Sequence, residues 1–239
     1  NLAVCGDGIL QDGEGCDDGN TLDNDLCSRT CRQRTAFTSI WQTTTPNETI
    51  TLPLPSGYRY DFTVYWGDGS SSVITSFDDV DKTHTFTVPG EYTVRIEGLL
   101  QSFRTSGGQD ALKLIEVSDL GDTEWVSLAS AFSSATNLKG FSGGDTSRVK
   151  SMASMFDGAS QVTPDTSTWN VSQVTTMAAM FRNATSANPD TQSWDVSNVA
   201  NMSLMFASAQ AATPATTSWD ASNVTSMNGM FSFTQNADP

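Results

Sequence analysis

Hydrophobic and polar positions in the second half of the chain recur at a fixed interval of 25 residues. The dipeptide Met-Phe occurs four times in this register, a preceding Met and a preceding Val also occur four times, and a Trp occurs three times. A fixed period of this size is typical of stacked structural units that bury a shared core between neighbours. The predicted repeat core comprises Met155, Phe156, Trp169, Met180, Phe181, Trp194, Met205, Phe206, Trp219, Met230 and Phe231.

Within each repeat, the Val, Met and Met-Phe positions fall at i, i+3, i+6 and i+7, which is one face of an α-helix. A Ser precedes three of these segments at a position that suits a helix N-cap, namely Ser172, Ser197 and Ser222. A short extended segment is expected at each Trp. The pattern therefore predicts an α/β solenoid with two-turn helices at 125–132, 149–156, 174–181, 199–206 and 224–231.

Residues 35–105 show a different pattern, with short runs of β-branched and aromatic residues that partly alternate with polar ones. Gly67-Asp68-Gly69 and Pro89-Gly90 supply turns between these runs. Short strands at this spacing are typical of an antiparallel β-sandwich. The predicted strands lie near 49–52, 58–66, 73–74, 83–88 and 92–96.

The first 34 residues contain few apolar side chains but all four cysteines, Cys5, Cys16, Cys27 and Cys31. An even number of cysteines in a short polar segment predicts two disulfides and an oxidising compartment. Zinc is the competing interpretation, but the usual CxxC pairs are missing and no His is nearby. Of the three possible connectivities, we favour Cys5–Cys27 with Cys16–Cys31.

These three segments predict a multi-domain protein, mostly β with an α/β solenoid. Residues 1–34 would form a small disulfide-stapled head, which is too poor in apolar residues to build a core of its own. Residues 35–105 would form the β-sandwich, and residues 106–239 the leucine-rich-repeat-like solenoid.

The head also carries five oxygen-bearing side chains within nine residues: Asp17, Asp18, Asn20, Asp23 and Asp25. Calcium takes six to eight oxygen ligands, and a loop of Asp, Asn and Gly can wrap around the ion. The alternative is that these residues only form turns and Asx caps. Calcium is the one cofactor that the sequence predicts, and no other is required.

Two segments resemble known extracellular families. Cys5-Gly6-Asp7-Gly8, 13–20 and 25–31 resemble the myxococcal-type cysteine-rich repeat of secreted proteins, although Gly15 replaces a usual Glu and 24–26 lacks the usual turn glycines. Residues 64–69, 84–86 and 89–94 resemble the PKD-type (polycystic-kidney-disease-type) immunoglobulin-like domain, with a shortened turn after Trp66. The second resemblance implies a spacer or adhesion module without catalytic residues.

The repeat itself resembles a third family. The pattern W-D-V-S-N-V-x-x-M-x-x-M-F, which is complete at 194–206, resembles the BspA-like leucine-rich-repeat units of bacterial surface proteins and lipoproteins. Met and Phe stand where ordinary leucine-rich repeats place Leu. The Trp column has two interpretations: packing against the neighbouring coil, or stacking on sugar rings.

Charge and motif content narrow the function. The net charge of −15, from 27 acids and 12 bases, disfavours nucleic acid and anionic lipid as partners. No run approaches the length of a membrane-spanning segment. With one histidine, His84, and no common nucleophile or phosphate-binding motif, the sequence predicts no catalytic residues and no enzyme activity.

These observations predict a non-enzymatic protein, secreted or on the cell surface, that presents its solenoid to protein or glycan ligands in binding or adhesion. The alternative is a structural subunit of an extracellular filament, sheath or matrix. The sequence stops partway through a repeat at 236–239, which suggests either further repeats or self-association through an open solenoid end.

Overall fold

Nine β-strands and two short 3-10 turns make up the regular secondary structure of the described part of the chain. The computed structural model describes residues 4–105 and 108–235 of the 239-residue chain, and these residues include no α-helix. The strands are β1 (Phe37–Thr43), β2 (Glu48–Thr51), β3 (Tyr60–Tyr65), β4 (Ser71–Ile74), β5 (Thr83–Phe86), β6 (Gly90–Leu100), β7 (Leu114–Asp119), β8 (Gly140–Phe141) and β9 (Thr163–Pro164), and the 3-10 turns are Val80–Lys82 and Gln109–Lys113. The predicted strands of 35–105 are thus present, with shifted ends.

One mixed sheet joins the first half of the chain to the repeats. Its order is β4-β3-β6-β1-β7-β8-β9, antiparallel up to β7 and parallel from β7 to β9, and β2 and β5 form a separate pair. The predicted fold class, with a separate β-sandwich domain and an α/β solenoid, is therefore wrong, because a single sheet crosses the predicted boundary at 105. The residue limits of the three segments stay a prediction.

Alternating burial explains the strands of this sheet. In β1, the side chains of Phe37, Ser39, Trp41 and Thr43 point inward while those between them face outward. The inward rings continue into the repeats, since the ring of Phe103 lies 5.7 Å from that of Phe37 and 5.9 Å from that of Phe132, between centroids. A single hydrophobic core therefore extends from the sheet into the repeats.

The repeats stack, but their Met-Phe segments are series of tight turns and not helices. Local hydrogen bonds run from the N–H of one residue to the carbonyl three positions earlier, as from Met155 to Met152 (3.2 Å) and from Ala159 to Phe156 (2.9 Å). The N–H groups of alternate residues form no hydrogen bond within their own coil. Those of Met152, Ser154, Phe156 and Gly158 donate to the carbonyls of Thr176, Ala178, Met180 and Arg182 in the next coil, at 2.8–3.0 Å. In an α-helix these N–H groups would instead donate to carbonyls four residues earlier in the same segment.

Left-handed backbone positions also exclude the predicted helices. Each coil has two such positions four residues apart, for example Ala179 (φ 55°) with Asn183 (φ 60°) and Leu204 (φ 58°) with Ser208 (φ 60°). A right-handed helix does not tolerate them.

The predicted N-caps are wrong because no helix follows these serines. Ser172, Ser197 and Ser222 instead donate their N–H groups to the side-chain oxygens of Asn170, Asp195 and Asp220 in Asx turns, at 3.0–3.1 Å.

Candidate functional site

Stacked aromatic rings form the spine of the repeats. Successive phenylalanine rings lie 5.5–5.7 Å apart along the column Phe132, Phe156, Phe181, Phe206 and Phe231. The Trp194 ring lies between those of Trp169 and Trp219, at 6.3 and 6.5 Å and within 5° of parallel. Both faces of Trp194 are therefore covered, which favours the packing interpretation over sugar stacking.

The other predicted core positions follow this arrangement. Met155, Met180 and Met205 are fully buried, and Met230 is 6% exposed. Trp219 and Phe231, on the last described coil, are only partly buried and pack against the core from its end.

A polar surface runs along the coils beside the tryptophans. We call it the polar face, and it consists of exposed side chains from three equivalent segments: Ser167, Thr168 and Asn170; Gln192, Ser193 and Asp195; Thr217, Ser218 and Asp220. Its acids have a local role as well. The hydroxyl and N–H of Ser197 lower the pKa of Asp195, and the N–H and hydroxyl of Ser222 lower the pKa of Asp220. Both carboxylates are therefore ionised at neutral pH.

A groove of about 300 Å³ opens on this face between two coils. We call it the inter-coil groove. Its wall includes Trp194, whose indole N–H is buried without a hydrogen-bond acceptor, as is that of Trp169. The equivalent group of Trp219 donates to the Thr191 carbonyl at 3.4 Å. The groove is lined by Gln192, Ser193, Trp194, Asp195, Val196, Ser218 and Asp220.

The four cysteines form two nested disulfides, Cys5–Cys31 and Cys16–Cys27, with Cα separations of 5.5 and 5.8 Å. The prediction of two disulfides is confirmed, but the favoured pairing of Cys5 with Cys27 and Cys16 with Cys31 is wrong. Cys27 and Cys31 flank a tight turn closed by a hydrogen bond from Cys31 N–H to the Ser28 carbonyl, and they face different partners across it.

Most of the acids predicted to bind calcium serve as turn-forming acceptors. Asp17 accepts hydrogen bonds from the N–H groups of Gly6, Gly8 and Gly19, at 2.9–3.0 Å. Asp18, Asn20 and Asp25 accept from Asn20, Leu22 and Cys27, respectively, each two residues further along. This is the geometry of the Asx-turn alternative.

Asp23 has different partners from the other four. Its side chain is 7% exposed and forms ion pairs with Arg34 at 2.9 Å and Arg29 at 3.4 Å. Its carboxylate oxygens are therefore already paired with arginine side chains. The structure does not bring Asp23 into one ligand set with Asp17, Asp18, Asn20 and Asp25.

Asp18 and Asp25 do lie next to each other, in a shallow pocket that Asp17 and Glu97 also line. Burial raises the pKa of Asp25, and the adjacent Asp18 carboxylate raises it further. A bound cation would relieve this repulsion between like charges. Calcium binding stays a prediction.

Two arginines fix the head to the rest of the molecule, a role that the sequence analysis missed. Arg34 is buried, and its Nη2 lies 2.9 Å from Asp23 Oδ1 and 2.8 Å from Glu124 Oε1. Arg32 contacts Asp122 and Asp145, at 2.5 and 3.0 Å. The signal available in the sequence was the concentration of three of the 12 basic residues at 29–34.

The single histidine has a structural environment. His84 Nε2 lies 2.7 Å from Asp68 Oδ2, and its ring stacks on Trp66 at 4.9 Å. Partial burial alone would raise the pKa of Asp68, but hydrogen bonds from Ser70 and His84 outweigh it and lower the pKa to about 2. The four cysteines have no free thiol.

Two family models match parts of this chain. A family described as "Mycoplasma protein of unknown function, DUF285" matches residues 126–238, and a "Domain of unknown function (DUF4215)" matches residues 2–32. They cover the repeats and the cysteine-rich head, respectively. No curated protein and no solved structure matches the chain. The BspA-like and PKD-type resemblances stay predictions.

The matches and the disulfides together fit a repeat protein of the surface type. Within 4–105 and 108–235, no helix has the length and apolar character needed to cross a bilayer.

Proposed function

We propose that this protein acts outside the cytosol or at the cell surface, by binding a protein or glycan ligand on the polar face of its stacked coils. It would act in adhesion or recognition and not as an enzyme. The observation that carries the proposal is the repetition of polar side chains, in register, over a core of stacked rings. Such an array gives a wide surface whose shape is set by the core below it.

The chemistry of this face supports a binding role. The Asx turns use the Oδ1 atom of Asp195 and of Asp220, which leaves the second oxygen of each carboxylate available for a ligand. Ser193 and Thr168 are exposed and carry hydroxyls that can donate or accept. The net charge of −15 favours neutral or basic ligands.

Catalysis has less support among the described residues. The one imidazole is held between Asp68 and Trp66, and the thiols are consumed in disulfides. Neither group is placed to act as a nucleophile or base of the usual kinds.

The test is binding of the disulfide-bonded chain to a panel of immobilised extracellular-matrix proteins and glycans, measured by biolayer interferometry. A variant with Thr168→Arg and Ser193→Arg on the polar face should weaken binding by about tenfold or more. The matched control is Ser56→Arg with Thr87→Arg, which places the same charges at exposed positions in the first half of the chain.

Equal binding by the two variants would contradict the proposal, as would no binding to any surface. Sedimentation velocity of the same protein tests the alternative of a filament, sheath or matrix subunit. That function predicts large assemblies at high concentration, whereas the binding protein predicts a monomer.

A further inference from the structure

Four chains of hydrogen bonds run through the stacked coils in one direction. In each chain, a peptide group accepts a hydrogen bond from the coil before it and donates its own N–H to a carbonyl of the coil after it. Because the peptide dipoles along such a chain are aligned, they add and strengthen one another. The stack therefore has an acceptor end and a donor end. One chain, with N···O distances of 2.8–2.9 Å, links the peptide groups Met155-Phe156, Met180-Phe181, Met205-Phe206 and Met230-Phe231.

The last described coil forms the donor end. The N–H groups that would continue the four chains belong to Met227, Gly229, Phe231 and Phe233, and none of them has an acceptor within 4–105 and 108–235. Their equivalents in the earlier coils are all paired. The carbonyls of 226–233 already accept hydrogen bonds, either from the preceding coil or within the turns. This edge therefore presents a row of donors that calls for a row of carbonyls opposite it.

Apolar side chains are uncovered beside these N–H groups. Met227 is 44% exposed and Phe233 is 84% exposed, whereas Met202, one coil earlier in the column of Met227, is fully buried. This surface is thus one half of the interface that joins the earlier coils to each other. We call it the stack end, and it consists of Trp219, Val224, Met227, Gly229, Phe231 and Phe233.

We propose that the stack end binds a coil of the same 25-residue type, carried by another polypeptide, whose carbonyl edge is uncovered. The incoming coil would place its carbonyls opposite the four N–H groups and its own Met and Phe side chains on the uncovered rings. The proposal rests on continuity with the interface that recurs between all neighbouring coils. An ordinary strand edge is a poorer match, since it presents N–H as well as C=O groups. The polar face takes no part in this interaction.

A second copy of this chain does not offer such an edge, because its acceptor end is covered. There the Ala131 carbonyl accepts from Thr105 N–H at 3.3 Å, and the Ser133 carbonyl accepts from the Thr105 hydroxyl at 2.7 Å. Ser102 also forms a parallel bridge with Ser127 of the same coil. Two stack ends placed together would oppose donors to donors. The chain alone should therefore remain a monomer.

The experiment measures binding of a peptide of two consecutive repeats, residues 166–215, to the intact disulfide-bonded chain. No coil precedes the first coil of this peptide, so its carbonyl edge is free. Biolayer interferometry gives the affinity, and hydrogen exchange followed by mass spectrometry locates the contact. We expect saturable binding and slower exchange in 226–235, because the four N–H groups gain acceptors. The same peptide with Met180→Asp and Phe181→Asp should bind at least about tenfold more weakly.

Variants of the chain test the stack end from the other side. Met227→Asp with Phe233→Asp places two charges on this surface at exposed side chains, and should weaken peptide binding about tenfold or more. The matched control is Val73→Asp with Val80→Asp, at side chains that are 49% and 83% exposed in the first half of the chain. It should bind the peptide like the unchanged protein. Circular dichroism checks that each variant remains folded.

Four results would overturn the proposal. They are no binding of the peptide, equal binding by the stack-end variant and its control, binding without slower exchange in 226–235, and dimers of the chain alone that the stack-end variant abolishes. The last result would make a second copy the partner. The proposed function is tested separately, because capture of the chain by matrix proteins or glycans depends on the polar face and not on the stack end.

Discussion

Arg34 and Asp23 form a buried ion pair in which Nη2 lies 2.9 Å from Oδ1 and the side chains are 1% and 7% exposed. The same guanidinium contacts Glu124, at the start of the repeats. One side chain therefore connects the cysteine-rich head to the body of the protein.

Arg34→Ala should destabilise the protein strongly, because removing one partner leaves the Asp23 carboxylate buried with less compensation. Losing one member of a buried pair typically costs about 3–5 kcal/mol. Urea unfolding followed by tryptophan fluorescence measures the change. The control, Arg29→Ala, removes an exposed partner of the same aspartate and should cost less than about 1 kcal/mol. Similar losses in the two variants would contradict a special role for Arg34.

Ala179→Gly should stabilise the repeats, by about 0.5–1 kcal/mol, since an L-residue with positive φ is strained and glycine is not. Gly229 already occupies the equivalent position two coils later. Ala178→Gly, one residue earlier and without a positive φ, should instead destabilise by about 0.5–1 kcal/mol. Thermal unfolding of the two variants distinguishes the turns from a helix, in which both changes would be destabilising.

The Asp68–His84 contact predicts a defined acid dependence. Because the folded-state pKa of Asp68 is lowered from 3.8 to about 2, its ionised form stabilises the fold above about pH 4. That contribution is lost as the pH falls toward 2. The difference in melting temperature between the unchanged protein and Asp68→Asn should therefore shrink between about pH 4 and pH 2. A difference that stays constant over this window, measured by calorimetry, would show that the contact does not lower the pKa of Asp68.

Calcium should raise the melting temperature if Asp18 and Asp25 bind it. At a concentration about 100-fold above the dissociation constant, a ligand of the native state adds about 2.7 kcal/mol, which for a chain of this size corresponds to about 5–10 °C. Asp25→Asn should abolish this response, while Asp12→Asn, an exposed acid of the same head, should keep it. Identical melting in calcium and in EDTA would exclude the site.

The stacking of the repeats could be predicted because their core residues recur at a fixed interval. The backbone conformation within each repeat could not. Apolar residues at i, i+3, i+6 and i+7 suit a helix face, and here they also suit a series of tight turns. A helix and a series of turns differ in the position of the carbonyl to which each N–H group donates. The N–H groups of Met152 and Phe156 donate to carbonyls in the next coil. Sequence periodicity does not report that choice. The positive φ angles of Ala179 and Leu204 could not be predicted from the sequence either, since alanine and leucine seldom adopt positive φ.

In the head, the cysteine count predicted two disulfides, whereas the pairing depends on how the chain turns between Cys27 and Cys31. The Asp and Asn side chains of the head suggested oxygen ligands for a cation, but most of them accept hydrogen bonds from nearby backbone N–H groups. The inter-coil groove was not predicted, because it needs residues 25 apart to meet across two coils.

The angle between successive phenylalanine rings falls steadily along the column, from 21° at Phe132–Phe156 to 3° at Phe206–Phe231. The rings of the later coils are thus nearly parallel and evenly spaced, so each coil packs on the next in almost the same way. Because neighbouring coils make nearly the same contacts with each other, the length of the stack is independent of the contacts that Arg32 and Arg34 make between the head and the body.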